Sequence, residues 1–539
     1  MIRKPACALV VGFLGLNSAC SSVGPATQAP SPVGSDSSEP MALYDSSLGP
    51  HERLITTRSP EAQAYFKQGA QLLHAFTPPD AVRSFREAQR HDPACAMCYF
   101  GEAWALGPYL NGPMRADNAP EAYAAIQKAK ELSGDGTPVE RAMIEAMAKR
   151  YEPEHDPDRR RMLDEAWADA IGAVYETYPN DNDVGTLYGE ALMLLEPRRG
   201  TWDIEKPEVR RIHAVLESVL ARDIEHPGAC HLYVHATEPT TEPGKAEACA
   251  NYLGNSIPGA SHIQHMPSHT FNRIGRWDDA VRANTMAWHS DLRAEFGEGF
   301  AIYPSHNVHM LLFAGSNGGQ GGVSTQAARD YAKVAIGGQF YISLVLVRFG
   351  RFDEVLDVDD PPGQPIQRGL WDFGRGYAHL KLGAPDSARV YLDRVRATET
   401  AANADSINFR GHTARQLLGV VGGILEGEMA FMEGRLDEAI SVFEAAATVE
   451  DGLRYDEPEP LNFSARDWLG AALLEADRAV EAEAVYRTAL EDHPLNGWSL
   501  FGLEQALLAQ GRTVEARQTR KLLEQSWERA DVWIRSSRF

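Results

Sequence analysis

A recurring register of small and aromatic residues constrains the fold of this chain more than any other feature. Alanine, an aromatic residue, alanine and proline stand at one mutual spacing near both ends of the chain, at Ala81, Phe85, Ala88 and Pro93 and at Ala482, Tyr486, Ala489 and Pro494. Looser copies lie between them, for example around Phe443. Small residues let two antiparallel helices approach closely, and the aromatic ring fills the space to the next pair. The register therefore predicts a stack of helix pairs.

This register resembles that of the tetratricopeptide repeat (TPR) superfamily, whose units are about 34 residues long. The resemblance implies an all-α fold, a TPR-like helix-hairpin solenoid wound as a right-handed superhelix. It also accounts for the length, because 539 residues exceed what one compact core can bury, whereas a repeat packs only against its neighbours. In TPR proteins the first helix of each pair lines a concave groove that holds ligands.

The N-terminus is typical of an export signal. Arg3 and Lys4 precede a short apolar stretch that ends in small residues before Cys20. The surroundings of Cys20 resemble a bacterial lipoprotein box, which implies acylation of the cysteine; ordinary secretion is the alternative. We divide the chain into a signal peptide (1–20), a disordered Ser/Pro-rich linker (21–50), N-terminal TPR-like repeats (51–225), His-rich repeats (226–310), and C-terminal repeats with a capping helix (311–539).

The charge of the chain limits its partners. Asp and Glu number 75 against 52 Lys and Arg, which gives a formal net charge of -23. Nucleic-acid binding depends on neutralising phosphates with basic side chains, so nucleic acid is not expected as a partner. We expect instead a peptide or an envelope protein in the groove, and membrane contact only through an N-terminal lipid anchor. The predicted location is the periplasm or the outer membrane.

Histidines form a grid with the period of the repeat. His231 and His235 are four residues apart and share one helix face, as do His265 and His269. Each member of the second pair follows its counterpart in the first by 34 residues, which is one repeat length. Two successive first helices are therefore predicted to present histidines at equivalent places in the groove.

Three more histidines extend the grid, namely His262, His306 and His309, with Glu238 and Tyr303 as outer residues. Neutral imidazoles on neighbouring helices suit a transition metal, because each ring offers one lone pair. Nitrogen ligands favour copper, with zinc as an alternative, and iron becomes an alternative if Glu238 joins two histidines. His226 is predicted to lie at a helix N-terminus or outside the ligand shell, and the remaining histidines, among them His51 and His74, are predicted to be structural.

Three stretches around these histidines resemble a family of bacterial envelope TPR proteins. They are 226–238, which begins His-Pro-Gly-Ala-Cys-His, 265–276, which begins His-Met-Pro-Ser-His, and 303–310. The stretch 95–107, which begins with the cysteines Cys95 and Cys98, belongs to the same resemblance. The resemblance groups these motifs together and implies no particular reaction.

Four cysteines follow the leader. Cys230 and Cys249 are predicted to occupy the two helices of one hairpin and to form a disulfide. Cys95 and Cys98 form a CxxC, for which redox activity, metal binding and a local disulfide stay open.

The sequence favours an exported TPR protein with a His-rich transition-metal site on its concave face. If the site is catalytic, a metal-dependent oxidoreductase is favoured over a hydrolase, since no phosphate-binding loop or nucleophile elbow occurs. Two alternatives stay open: a protein-protein interaction scaffold of the cell envelope without catalysis, and a metal storage or delivery protein.

Overall fold

A computed structural model describes residues 40–44, 47–197 and 200–539. These residues are mostly helical, and successive helices pack on one another in pairs, which confirms the predicted all-α helix-hairpin solenoid. The predicted signal peptide, Cys20 and most of the predicted linker lie outside the described residues. Among the described helices, none is both long enough and apolar enough to cross a membrane.

The helices follow one another along the whole described chain. The first eight are α1 (Pro60–His74), α2 (Pro78–His91), α3 (Ala96–Leu106), α4 (Asn118–Leu132), α5 (Pro138–Met147), α6 (Pro157–Thr177), α7 (Asn182–Met193) and α8 (Pro207–Arg222). The next six are α9 (Pro227–Thr237), α10 (Glu247–Leu253), α11 (Ser261–His265), α12 (Pro267–Ile274), α13 (Trp277–Ala294) and α14 (Pro304–Asn317).

The C-terminal helices continue the same order. They are α15 (Gly321–Val334), α16 (Phe340–Arg348), α17 (Phe352–Leu356), α18 (Pro365–Lys381), α19 (Pro385–Glu399), α20 (Ala414–Met432), α21 (Leu436–Asp451), α22 (Ala465–Glu475), α23 (Ala479–Asp492), α24 (Gly497–Ala509) and α25 (Thr513–Ser526). The short antiparallel strands β1 (Asn408–Phe409) and β2 (His412–Thr413) precede α20.

Close helix packing follows from the small residues of the register. Phe85 on α2 lies between Gly69 on α1 and Gly101 on α3, and a Cβ at these glycines would come within 2.7 and 2.4 Å of its ring. Tyr486 on α23 meets Gly470 of α22 in the same way. In these two units the aromatic ring thus fills the space that glycines on the neighbouring helices leave, as the spacing in the sequence indicates.

Successive turns of the array also touch one another. Helices pack mainly on their neighbours in sequence, yet α1 contacts α9. The Trp277 indole N–H donates to the Pro494 carbonyl at 3.0 Å, and the Trp498 indole N–H donates to the Ser316 carbonyl at 2.8 Å. Residues from both ends of the chain therefore surround the His-rich helices in the middle.

Candidate metal centre

Six of the seven histidines predicted as metal ligands lie in two groups of three. The first trio is His231, His235 and His262, and the second trio is His265, His269 and His306. Within each trio the potential ligand atoms all lie within 4.8 Å of one another. The trios adjoin, because the ring centroids of His262 and His265 are 5.3 Å apart and those of His235 and His269 are 5.5 Å apart.

These rings come from the first helices of three consecutive helix pairs. His231 and His235 lie on α9, and His306 lies in the first turn of α14. The helix between them is interrupted at Pro267, which has no N–H to continue the hydrogen-bond ladder, and is divided into α11 and α12. Met266 at the junction keeps helical dihedrals, with φ -51° and ψ -37°. His265 and His269 therefore still share one face.

Hydrogen bonds at the outer nitrogens orient the rings of the second trio. His265 donates from Nδ1 to Asn284 Oδ1 at 3.2 Å, because the Asn284 amide nitrogen is itself a donor to a carbonyl. His269 donates from Nδ1 to Glu238 Oε1 at 2.7 Å. With Nδ1 protonated, each neutral ring has its lone pair on Nε2. The two Nε2 atoms are 3.0 Å apart, so this arrangement requires a cation, either a proton or a metal ion, between them.

The electrostatics of the second trio agree with that requirement. Burial disfavours the charged form of His269, but the carboxylates of Glu238 and Glu457 outweigh it and raise the pKa of His269 to about 9. Burial and the neighbouring imidazoles lower the pKa of His265 and His306 well below the usual value. The group therefore holds positive charge at His269 and neutral rings around it.

The first trio is oriented from α1. His231 donates from Nδ1 to the carbonyl oxygen of His74 at 2.6 Å, so that its Nε2, 3.1 Å from Nε2 of His262, carries the lone pair. The ring of Phe76 covers the trio, with centroids 4.1 Å from His231 and 5.9 Å from His235. Burial and the surrounding imidazoles lower the pKa of His262 well below its usual value.

Two carboxylates lie close to one imidazole nitrogen, Nδ1 of His269. Glu238, which the sequence indicated as an outer residue, accepts from His269 Nδ1, and Glu457 Oε2 lies 3.3 Å from the same atom. Glu457 was missed by the sequence analysis, because it comes from the loop between α21 and α22. The guanidinium of Arg410 holds that loop by donating to Asp456 Oδ2 at 2.6 Å and to the Glu457 carbonyl at 2.8 Å.

His309 does not join either trio, which corrects the sequence prediction. It follows His306 by three residues and lies one turn further along α14, where α15 and α16 pack against this helix. There it is buried against Tyr341 of α16 and Tyr331 of α15, with ring centroids 4.6 and 5.7 Å apart. Its two ring nitrogens have no hydrogen-bond partner among the described residues. No potential metal-binding group of the described chain includes it.

Tyr303 and His306 stand at the more open edge of the centre, where both are half-buried. The Tyr303 ring lies edge-on to His262, with centroids 5.4 Å apart. Its hydroxyl is 2.9 Å from that of Tyr109, which the sequence analysis did not single out. Tyr303 has a positive φ of 58°, an uncommon conformation for a bulky residue. Pro304 directly follows it as the first residue of α14.

Both pairs of cysteines are disulfides in the structure. Cys230 on α9 is joined to Cys249 on α10, with Cα atoms 4.9 Å apart. Cys95 is joined to Cys98 at the start of α3. Of the three roles that the sequence left open for the CxxC, the structure has the local disulfide.

Comparisons with known proteins yield only a weak likeness to solved structures. No protein-family model and no curated protein sequence matches the chain. Among solved structures, it is similar to the human IFIT1 dimer with m7Gppp-AAAA, with 11% identity over 88% of this chain and 92% of that chain and a TM-score of 0.29. It is also similar to the P58(IPK) TPR domain (13% identity, 87% and 97% covered, TM-score 0.22) and to Naa15/Naa10 bound to HypK-THB (10%, 87% and 90%, TM-score 0.24). Likeness at this level leaves the function of the chain to be argued from its own residues.

Proposed function

We propose that the chain is an exported metalloprotein in which the two histidine trios hold a pair of transition-metal ions, and that it acts as an oxidoreductase. The observation that carries this proposal is the geometry of His265 and His269. Both outer nitrogens are occupied as donors, and the inner nitrogens face each other at 3.0 Å. Each trio offers three nitrogen ligands, which leaves a coordination place for a small molecule.

Copper fits the two trios best, because all their ligands are imidazoles. Glu238 and Glu457 also form a potential metal-binding group with His235, which keeps iron as the alternative metal. When bound, a copper pair supplies one-electron redox chemistry toward dioxygen. The chain's own residues set the conditions for it. Glu238 and Glu457 fix the Nδ1 proton of His269, which orients the ring and makes it a better ligand. Phe76 excludes water from one side, and Tyr303 orients a substrate at the open edge.

The test is the metal content of the His265→Ala/His269→Ala variant. Protein isolated without added metal is analysed for copper, zinc and iron, and oxygen consumption is followed with phenolic and amine substrates. We expect the variant to lose at least one metal equivalent and all turnover while its helical signal persists, because repeats are stabilised mainly by apolar contacts. His289→Ala is the control, since His289 is exposed on α13. A double variant with full metal content would place the site elsewhere.

Two rival functions are separated by the same measurements. The helical-repeat scaffold by itself suits protein binding, and a wild-type chain without transition metal would favour an interaction scaffold in the envelope. A chain that holds metal, transfers it to an apo-protein acceptor and consumes no oxygen with any substrate would favour storage or delivery. Export and anchoring through Cys20 rest on the leader sequence and are tested by fractionating cells that express wild type and Cys20→Ala.

A further inference from the structure

A third group of histidines lies outside the two trios. It consists of His51, His74 and His226, whose potential ligand atoms all lie within 4.8 Å of one another. The ring centroids of His51 and His226 are 4.3 Å apart, and His74 lies 5.8 Å from the first and 5.6 Å from the second. His74 and His226 are buried and His51 is half-buried. None of them belongs to the histidine grid that was predicted to bind metal.

Three separate parts of the chain bring these rings together. His51 precedes α1, His74 is the last residue of α1, and His226 is the residue before α9. Gly228 makes the approach of α1 and α9 possible, because a Cβ at this position would lie 2.4 Å from Nδ1 of His74. Because Gly228 has no side chain, there is room for the imidazole of His74. A side chain at position 228 would collide with that ring.

The carboxylate of Asp183 lies next to the rings of His51 and His226. Asp183 Oδ1 lies 3.4 Å from Nε2 of His51 and 3.4 Å from Nε2 of His226, and the guanidinium of Arg53 donates to Asp183 Oδ2 at 2.8 Å. A carboxylate that accepts from the outer nitrogen of a histidine is the usual support of a metal ligand. Nε2 of His226 also lies 3.3 Å from Oγ1 of Thr186, and its Nδ1 accepts from the backbone N–H of Ala229 at 3.2 Å. An ion bound at Nδ1 therefore takes the place of the Ala229 contact.

We propose that His51, His74 and His226 hold a further transition-metal ion in a mononuclear site, with Asp183 as its outer acceptor. Three neutral nitrogens suit copper or zinc and leave a place for water or a small ligand. His51 and His74 line a pocket together with Phe66, Met97 and Phe100, which has room for a water molecule beside these rings. None of its three ligands belongs to either trio.

One residue connects the mononuclear site to the first trio. The ring of His74 faces His51 and His226, while its carbonyl oxygen accepts from Nδ1 of His231 at 2.6 Å. Movement of His74 on binding an ion therefore changes the hydrogen bond that orients a ligand of the neighbouring centre. Occupancy of the two sites is expected to be coupled for this reason.

The experiment counts copper in the full chain. Metal-free protein is titrated with Cu²⁺ and desalted, and tightly bound copper is measured together with the electron paramagnetic resonance (EPR) spectrum. We expect wild type to hold one equivalent more than His51→Ala, and the signal of an isolated Cu²⁺ ion to be lost in that variant. His91→Ala is the control, because His91 is an exposed histidine of the same repeat. The inference is overturned if His51→Ala retains the wild-type copper content and signal.

Two further variants keep the result interpretable. The His265→Ala/His269→Ala variant should retain the isolated-ion signal that His51→Ala lacks, so failure of the two-trio centre and failure of this site give different patterns. Gly228→Ala leaves every proposed ligand in place but pushes on the His74 ring. It should weaken the same copper equivalent, and it replaces His51→Ala if that variant loses its helical signal. Wild-type affinity for this copper in Gly228→Ala would contradict the proposal.

Discussion

At the scale of single residues, the charge next to His269 is the feature with the clearest consequence. Its Nδ1 proton faces two buried carboxylates, Glu238 at 2.7 Å and Glu457 at 3.3 Å. Negative charge there makes the ring a stronger ligand and holds it in one orientation, and loss of such an outer acceptor typically weakens metal binding by about 10- to 100-fold.

Glu238→Gln tests this role, because it keeps the shape of the side chain and removes its charge. We expect the copper affinity of the two-trio centre to fall by roughly 10-fold, toward the lower end of that range because Glu457 remains. The measurement is competition with a chelator of known affinity. Glu208→Gln on the exposed side of α8 is the matched control and should bind as wild type does. Equal copper affinity in Glu238→Gln and Glu208→Gln would show that Glu238 does not support the metal site.

At the scale of elements, the link between α9 and α10 fixes the helix that carries two of the proposed ligands. The Cys230–Cys249 disulfide closes a loop with a sequence separation of 19, whereas the Cys95–Cys98 disulfide closes one of 3. A cross-link stabilises mainly by restricting the unfolded chain, and the effect grows with the length of the closed loop. The two bridges therefore differ in their expected contribution.

The Cys230→Ala/Cys249→Ala variant is expected to lower the free energy of unfolding by about 3 kcal/mol. Cys95→Ala/Cys98→Ala is the internal comparison, and chain entropy predicts a loss of roughly half that size. Both values come from urea unfolding followed by circular dichroism. A larger loss from the Cys95 and Cys98 pair would show that local geometry at α3, rather than loop closure, dominates.

At the scale of the whole molecule, the centre is enclosed by residues that are far apart in sequence. Phe76 and the carbonyl of His74 come from the first repeat, and Glu457 comes from a loop near the C-terminal repeats. Arg410 anchors this loop through a buried ion pair with Asp456. Turns of the array that are distant in sequence are therefore needed to complete the surroundings of ligands that lie on its middle helices.

Arg410→Met should accordingly weaken metal binding although it touches no proposed ligand. We expect the free energy of unfolding to fall by about 3 kcal/mol, because the variant leaves the buried Asp456 carboxylate without its guanidinium partner. Copper affinity should fall as well, since the Glu457 carbonyl loses a hydrogen bond. Arg415→Met, which removes an exposed pair with Asp405, should change either quantity little. If Arg410→Met lowered the free energy of unfolding but left the copper affinity unchanged, the loop would have no role in metal binding.

Features that arise from residues close together in the sequence could be predicted, and features that arise from contacts between distant turns could not. The fold and the shared faces of the histidine pairs follow from the spacing of nearby residues, which one helix period and one repeat length determine. His309 was misassigned because the spacing from His306 gives only its position on α14, whereas the packing of α15 and α16 decides which residues it contacts. Phe76 and Glu457 could not be predicted, because they reach the trios through contacts between distant turns that leave no local pattern.

The 34-residue offset between the two histidine pairs has an evolutionary consequence. A single hairpin with two histidines on its first helix supplies too few ligands for a tight site. One in-frame duplication of that unit would create His265 and His269 from the equivalents of His231 and His235 in a single genetic event. Each half then needs only one more imidazole, which His262 and His306 provide. A repeat array can in this way acquire a two-ion centre by copying a segment and changing two further positions.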